Sequence, residues 1–369
     1  TPLLSGLVGS EMCIRDSCTV GQEEGLAYRG HKIETLAEKG TFEEVAYLLL
    51  YGKLPNITEL SNYKNLLKSL RDLPDSLKKV LREIPASAHP MAVMATGCSM
   101  LGNLEPEESM DAQMDSINRM VATLPSIVTY WYRYSHDGED ISLVNDEDTM
   151  AGHFLHILHG KTPSDLHRRV MDASLVLYAE HEFNASTFTA RVCASTMSAI
   201  FSCVVAAIGS LKGPLHGGAN EEVMHMMNKI KKPENALKWI NNALKNKEVV
   251  MGFGHRVYKS GDSRVPTMRK YFGKVAKLKK DKKFEKIYDI VEKVMINKKN
   301  IHPNVDYPTG PTYHLMGFDT DFFTPIFVIS RITGWSAHIM EQHTANKLIR
   351  PLASYKGSKH RKVMQLNQR

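Results

Sequence analysis

Apolar residues recur at three- to four-residue intervals through most of the chain, which predicts a mainly α-helical protein. Between Ile33 and Leu50 the positions Leu36, Val45, Leu48 and Leu49 carry the apolar side, Gly40 breaks the run, and Gly52 and Pro55 end it. The same period predicts helices over Asn56–Arg71, Met110–Tyr134, Thr149–His159, Asp165–Glu180, Ser186–Ile208 and Ile326–Glu341. A lysine-rich block, Lys270–Lys299, reads as helix with a solvated, charged face. Strand-like alternation is scarce, no βαβ unit stands out, and no fixed-period repeat is present.

Glycine and proline fall between these helices and beside histidines, in Gly213-Pro214-Leu215-His216-Gly217-Gly218 and in Gly252-Phe253-Gly254-His255. Composition changes again at Phe318–Pro325. This punctuation predicts a smaller domain over residues 218–317, inserted into a larger helical domain made of 18–217 and 318–369. The first 17 residues stand apart. Leu3–Gly9 is apolar without a preceding basic region, unlike a signal peptide. Ser10–Ser17 resembles translated sequencing-adapter sequence, so residues 1–17 are expected to be a non-native or disordered leader.

Composition narrows the class. The 369 residues are 43% hydrophobic and 24% charged, ordinary for a globular protein. The longest apolar stretch, Phe201–Ile208, is far short of the roughly 18 residues a membrane span needs, so no membrane partner is expected. The formal net charge of +7 suits nucleic acid or a polyanionic small ligand equally. A non-catalytic RNA- or DNA-binding module lacks support, because no basic–aromatic recognition motif occurs and the lysines concentrate in one helical block. Five cysteines in no regular pattern imply reduced thiols and a cytoplasmic location.

Several motifs are incomplete. Gly252-Phe253-Gly254 begins like a dinucleotide fingerprint, but Val257 replaces the third glycine. No Walker lysine–serine pair and no GxSxG occurs. His153, His156 and His159 lack a recognised ligand set, and the first and third point about 120° apart on a helix, so packed, hydrogen-bonded histidines are expected rather than a metal site.

Three polar sites remain. His216 lies among glycines at a helix start, where the dipole would depress its pKa and let a neutral imidazole donate to a carbonyl oxygen. Gly252-Phe253-Gly254-His255 is followed by Lys259 and Arg264, cations suited to carboxylate or phosphate. Asp306 sits in Pro303-Asn304-Val305-Asp306-Tyr307-Pro308-Thr309-Gly310, read as a loop in which a carboxylate can act as general base.

The order His181, His216, His255, Asp306, Arg331, Arg350 and the text around each resemble the citrate synthase superfamily, from about Gly21 to the C-terminus. Leu26–Gly30, His89-Pro90-Met91 and Gly334-Trp335-Ser336-Ala337-His338 belong to this match. Gly152–His156, Leu177–Thr189 and Asn346–Pro351 are most similar to the 2-methylcitrate synthase branch. The resemblance implies a two-domain, mainly helical fold whose smaller domain closes over the site. It implies condensation of propanoyl-CoA with oxaloacetate and water, with acetyl-CoA (a citrate synthase) as the alternative.

In that scheme Asp306 removes the α-proton, His216 hydrogen-bonds the thioester oxygen and His255 acts on the ketone of oxaloacetate. His181, Arg264 and Arg331 hold the substrate carboxylates, Phe327 packs against the substrate, and Arg350 reaches the site across a homodimer interface. Val250, Met251, Gly252, Phe253 and Gly254 receive the adenine end of CoA, with Lys259 at a phosphate. No metal or redox cofactor is implied. The chain departs from its branch at Ala92 and Ala95, where an acid and an arginine are usual. Ser263, where a proline is common, is expected to loosen the Arg264 loop, and Pro308-Thr309 to stiffen or re-aim the loop of the base.

Overall fold

The computed structural model describes residues 16–21, 25–255, 257–258, 261–358 and 360–369. Residues 1–15 of the expected leader, and Lys259, lie outside the described residues. The described part opens with a small antiparallel sheet, β1 (Cys18–Gly21), β2 (Gly25–Tyr28) and β3 (His31–Lys32), in register Cys18↔Tyr28 and Ala27↔Lys32. Leu26 and Tyr28 alternate inward, as one buried sheet face requires.

Helices follow: α1 (Ile33–Lys39), α2 (Phe42–Tyr51), α3 (Ile57–Ser69), α4 (Asp75–Glu83), α5 (Pro90–Leu104), α6 (Gln113–Tyr132), α7 (Met150–His159), α8 (Asp165–Tyr178), α9 (Ala185–Ala194) and α10 (Ile200–Leu211). Their ends are written in local chemistry. Reciprocal capping boxes, Thr41 with Glu44 and Asn56 with Glu59, start α2 and α3. Gly52 and Gly160, both left-handed, close α2 and α7.

Next come α11 (Ala219–Ile230), α12 (Pro233–Lys245), α13 (Val265–Lys279), α14 (Lys283–Lys299) and α15 (Asp306–Met316), followed by α16 (Phe323–Thr344). Helices α11 to α15 pack mainly on one another, α15 against α13 and α11, and α12 against α14. Helix α16 is buried along almost its whole length and packs against α2, α6, α8, α9 and α10. It therefore acts as the post of the first group of helices. No described helix is long and apolar enough to cross a membrane.

The structure divides two segments that periodicity reads as single helices. Ser186–Ile208 breaks between α9 and α10, where Ser195 and Thr196 hydroxyls bond back to Val192 and Cys193 carbonyls and Met197 takes φ +62°. Lys270–Lys299 breaks at Lys280, φ +54°, after which Asp281 accepts from the Phe284 amide. The lysines of this block nonetheless flank buried Phe272, Val275, Ile287 and Val291, as an amphipathic pair of helices demands.

Helix α16 comes close to the end of α8 at Gly334, whose amide donates 3.2 Å to the Ala179 carbonyl just beyond α8. A Cβ at 334 would meet Glu180 Oε2 at 2.0 Å and that carbonyl at 2.5 Å. Backbone cannot yield as a flexible side chain does. Gly334→Ala should therefore destabilise the protein by about 1–3 kcal/mol, read as a lowered midpoint in denaturant; an unchanged midpoint would refute this account of the packing.

Candidate active site

His181, His216, Arg264 and Asp306 sit at helix ends or in turns between helices, whereas Phe327 and Arg331 lie within one helix. His181 follows α8, whose terminus is tied to the sheet: the Tyr28 hydroxyl donates to the carbonyls of Val176 and Glu180, both at 3.1 Å. His216 lies in the turn between α10 and α11, and Arg264 immediately precedes α13. Phe327 and Arg331, one helical turn apart, share a face of α16. Asp306 is the first residue of α15 rather than part of an irregular loop. Pro308 falls in the first turn, where a proline's missing amide costs nothing, and the Thr309 hydroxyl bonds back to the Val305 carbonyl at 2.7 Å. The expected re-aimed loop is thus a helix start. Nor is the Arg264 turn loosened at Ser263, whose hydroxyl accepts from the Leu26 amide at 3.2 Å.

These residues form one connected cluster. The Tyr178 hydroxyl donates to Asp306 Oδ1 at 2.6 Å, its carbonyl accepts from Arg331 Nε at 2.7 Å, and its ring meets Phe327 at 4.6 Å between centroids. The Arg331 guanidinium lies over the Phe327 ring at 4.6 Å, and Phe327 faces the His216 ring at 6.3 Å. His181 is 5.0 Å from His255 between ring centroids, and its Nε2 is 3.0 Å from the Tyr258 hydroxyl. Arg264 is buried and paired with Asp262, Nε to Oδ1 at 2.9 Å and Nη2 to Oδ2 at 2.7 Å.

The hydrogen bonds assign the imidazole protons. The Ser186 amide, which can only donate, points at His216 Nε2 from 3.2 Å, so Nε2 accepts and Nδ1 carries the proton. The amides of Val257 and Tyr258 point at His255 Nδ1 from 3.1 and 3.3 Å, which leaves the proton on Nε2. Burial first, then Arg331 for His216 and Arg264 for His255, pushes both down to about 4. Burial likewise holds His181 well below the usual range. Burial pushes Asp306 up to about 6 against the pull of the Tyr178 hydroxyl. Near neutrality the cluster therefore presents neutral imidazole donors beside the ionised carboxylate of Asp306.

The Val250–Gly254 stretch is shaped by two left-handed glycines, Gly252 and Gly254, both at φ +81°. A Cβ on Gly252 would meet Val223 Cγ2 at 2.7 Å and Tyr307 Cβ at 2.8 Å. Phe253 bridges to Pro303 and packs on Tyr307, Val250 is buried, and Met251 is half-buried. A cleft opens beside this stretch, lined by Gly254, His255, Tyr258, Ile301 and His302. Arg350 lies exposed beyond α16, after Ile349, whose amide donates to the Ser195 hydroxyl at 3.1 Å; within one chain it does not join the cluster. Sequence reasoning missed Tyr178, Ser186, Tyr258 and Asp262. Only Ser186 carried a usable signal, since it follows Asn184, the cap of α9.

Fold and cluster together define a condensing enzyme of citrate synthase type, an acyltransferase that converts acyl to alkyl on transfer. The sequence model of the family described as citrate synthase, C-terminal domain, matches residues 6–352. The chain belongs to the citrate synthase family. It is 51% identical over 366 residues to 2-methylcitrate synthase of Shewanella oneidensis, covering 99% of this chain and 98% of the relative. It is 45% identical to 2-methylcitrate synthase of Mycobacterium tuberculosis, covering 97% and 91%. The solved ternary complex of carboxymethyl coenzyme A and oxaloacetate with citrate synthase from Thermoplasma acidophilum superposes with a TM-score of 0.91 at 31% identity, covering 99% of each chain.

Tyr178→Phe removes a donor from the ionised form of Asp306 and so favours the neutral acid. The acid limb of its kcat–pH profile should move to higher pH, with kcat at neutral pH lowered about tenfold, the value of one charge-assisted hydrogen bond. A limb left in place would show that this bond does not set the carboxylate's titration.

Proposed function

We propose that the protein condenses propanoyl-CoA with oxaloacetate and water to give 2-methylcitrate and CoA. The observation that carries the chemistry is a carboxylate with raised pKa on the same cluster as two neutral imidazoles whose proton-bearing nitrogens are assigned. Identity of 51% to a 2-methylcitrate synthase favours the propanoyl substrate. The carboxymethyl coenzyme A and oxaloacetate bound by the Thermoplasma enzyme support the two substrate classes.

Asp306 takes the α-proton of the thioester while His216, through Nδ1–H, hydrogen-bonds its oxygen. That C–H is too weak an acid for a carboxylate alone, so base and oxyanion donor act together. The enolate carbon attacks the ketone carbon of oxaloacetate, and His255 supplies the Nε2 proton to the developing alkoxide. Arg264, Arg331 and His181 orient the oxaloacetate carboxylates, and Phe327 packs against its carbon skeleton. Water then cleaves the thioester, releasing CoA.

Asp306 and His255 cover the two proton transfers of the condensation, and no step is assigned to a metal or redox cofactor. Val250–Gly254 receives the adenine end of CoA and Lys259 a phosphate. Residues 218–317 act as the smaller domain, closing over bound oxaloacetate and excluding water from the enolate. Arg350 serves the partner's site in a homodimer. The four described cysteines are free, which supports a cytoplasmic setting.

CoA release with oxaloacetate and either propanoyl-CoA or acetyl-CoA tests this reading. Higher kcat/KM with propanoyl-CoA is expected; preference for acetyl-CoA would overturn the substrate assignment, and no turnover with either would overturn the reaction. Because Asp306 must be ionised to act, and its pKa is raised to about 6, kcat should fall as pH drops through that value. Asp306→Asn should lower kcat about 10³-fold with the fold intact.

A further inference from the structure

Two separate stretches of chain, at Arg264 and at Val305, meet at one enclosed carboxylate, Asp262, whose side chain is 0% exposed. Its Oδ1 accepts from the Arg264 amide at 3.0 Å and from Arg264 Nε at 2.9 Å. Its Oδ2 accepts from Arg264 Nη2 at 2.7 Å and, 43 residues away in sequence, from the Val305 amide at 3.0 Å. Val305 immediately precedes Asp306. The neighbouring Asn304 completes the joint: its side chain accepts from the Asp306 amide at 3.1 Å and donates to the Gly254 carbonyl at 3.0 Å, next to His255.

A pair made only to neutralise Arg264 would not need the Val305 amide. The carboxylate also takes the Nε and Nη2 side of the guanidinium, which leaves a substrate carboxylate the Nη1 side and fixes the plane in which it binds. We propose that Asp262 is a positioning residue that ties Arg264 to the strand of chain presenting Asp306, so that oxaloacetate held by Arg264 sets where the base stands. This role rests on the functions assigned above to Arg264 and Asp306.

The charged and titratable groups acting on Asp306 are Tyr178 from α8, Arg331 from α16, and Arg264 and Asp262 from the turn before α13. Of these only Asp262 opposes ionisation of the base. Asp262→Asn keeps the size of the side chain and removes its charge. Its acid limb should therefore shift to lower pH, while kcat falls about tenfold or more, as misplacement of a reacting group by a fraction of an ångström causes, and KM for oxaloacetate rises. A merely structural residue would lower the melting temperature and leave the limb of the surviving enzyme unmoved.

Asp262→Glu, which keeps the charge on a longer arm, is the second variant and covers the case in which Asp262→Asn does not fold. It should hold the limb in place and lower kcat about threefold or more. An unmoved limb in folded Asp262→Asn, or wild-type kcat in Asp262→Glu, would overturn the positioning role. The wild type measured in parallel separates this from the larger reading: its failure to release CoA would overturn the assigned reaction, and this role with it.

Discussion

Tyr178, at the last turn of α8, holds three parts of the site by three different parts of itself. Its hydroxyl engages Asp306, its carbonyl takes Arg331 Nε, and its ring packs against Phe327. Asp306 begins α15, whereas Arg331 and Phe327 belong to the buried post α16. One residue therefore links α15 to α16 at the centre of the polar cluster. The end of α8 can do so because Gly334 lets α16 approach its backbone and the Tyr28 hydroxyl pins its terminal carbonyls.

Burial sets the electrostatics. Removing water penalises every charged form, so the imidazoles stay neutral and Asp306 titrates high, while the two buried arginines keep their charge by having acids near them. Arg264 has Asp262. Arg331 has Glu180, a fully enclosed carboxylate held by His338 Nε2 at 2.7 Å. Arg191 donates to His338 Nδ1 at 3.1 Å and pairs with Glu341, which extends this support outward from the site. The two cations of the cluster are thus fixed in place by their own chain, the preorganised arrangement that binding an anion would use.

How much of this was legible varied with how local the signal was. Helices with caps and a regular apolar face, such as Ile57–Ser69 behind Asn56 and Met150–His159 behind Thr149, are readable from sequence within a residue or two. Helix α4, short and highly charged, and α15, with prolines at 308 and 311, were not, because their helicity depends on the partners they pack against. The division of Ser186–Ile208 was hidden for a related reason. Serine and threonine hydroxyls end α9 there through hydrogen bonds to their own backbone, which residue periodicity does not record.

By itself the sequence determined the helical class, most capped helices and, through its extended resemblance, the family, and it singled out His216, His255 and Asp306 as candidates. These follow from spacing, caps and residue order, which the chain carries locally. Only the tertiary structure decided that Tyr178 donates to Asp306, that Ser186 leaves the His216 proton on Nδ1, and that Asp262 joins Arg264 to Val305. It also decided that burial, with Arg331 nearby, depresses the His216 pKa. Each of these depends on residues from 30 to 128 positions apart meeting in a volume from which water is excluded, or on that exclusion itself.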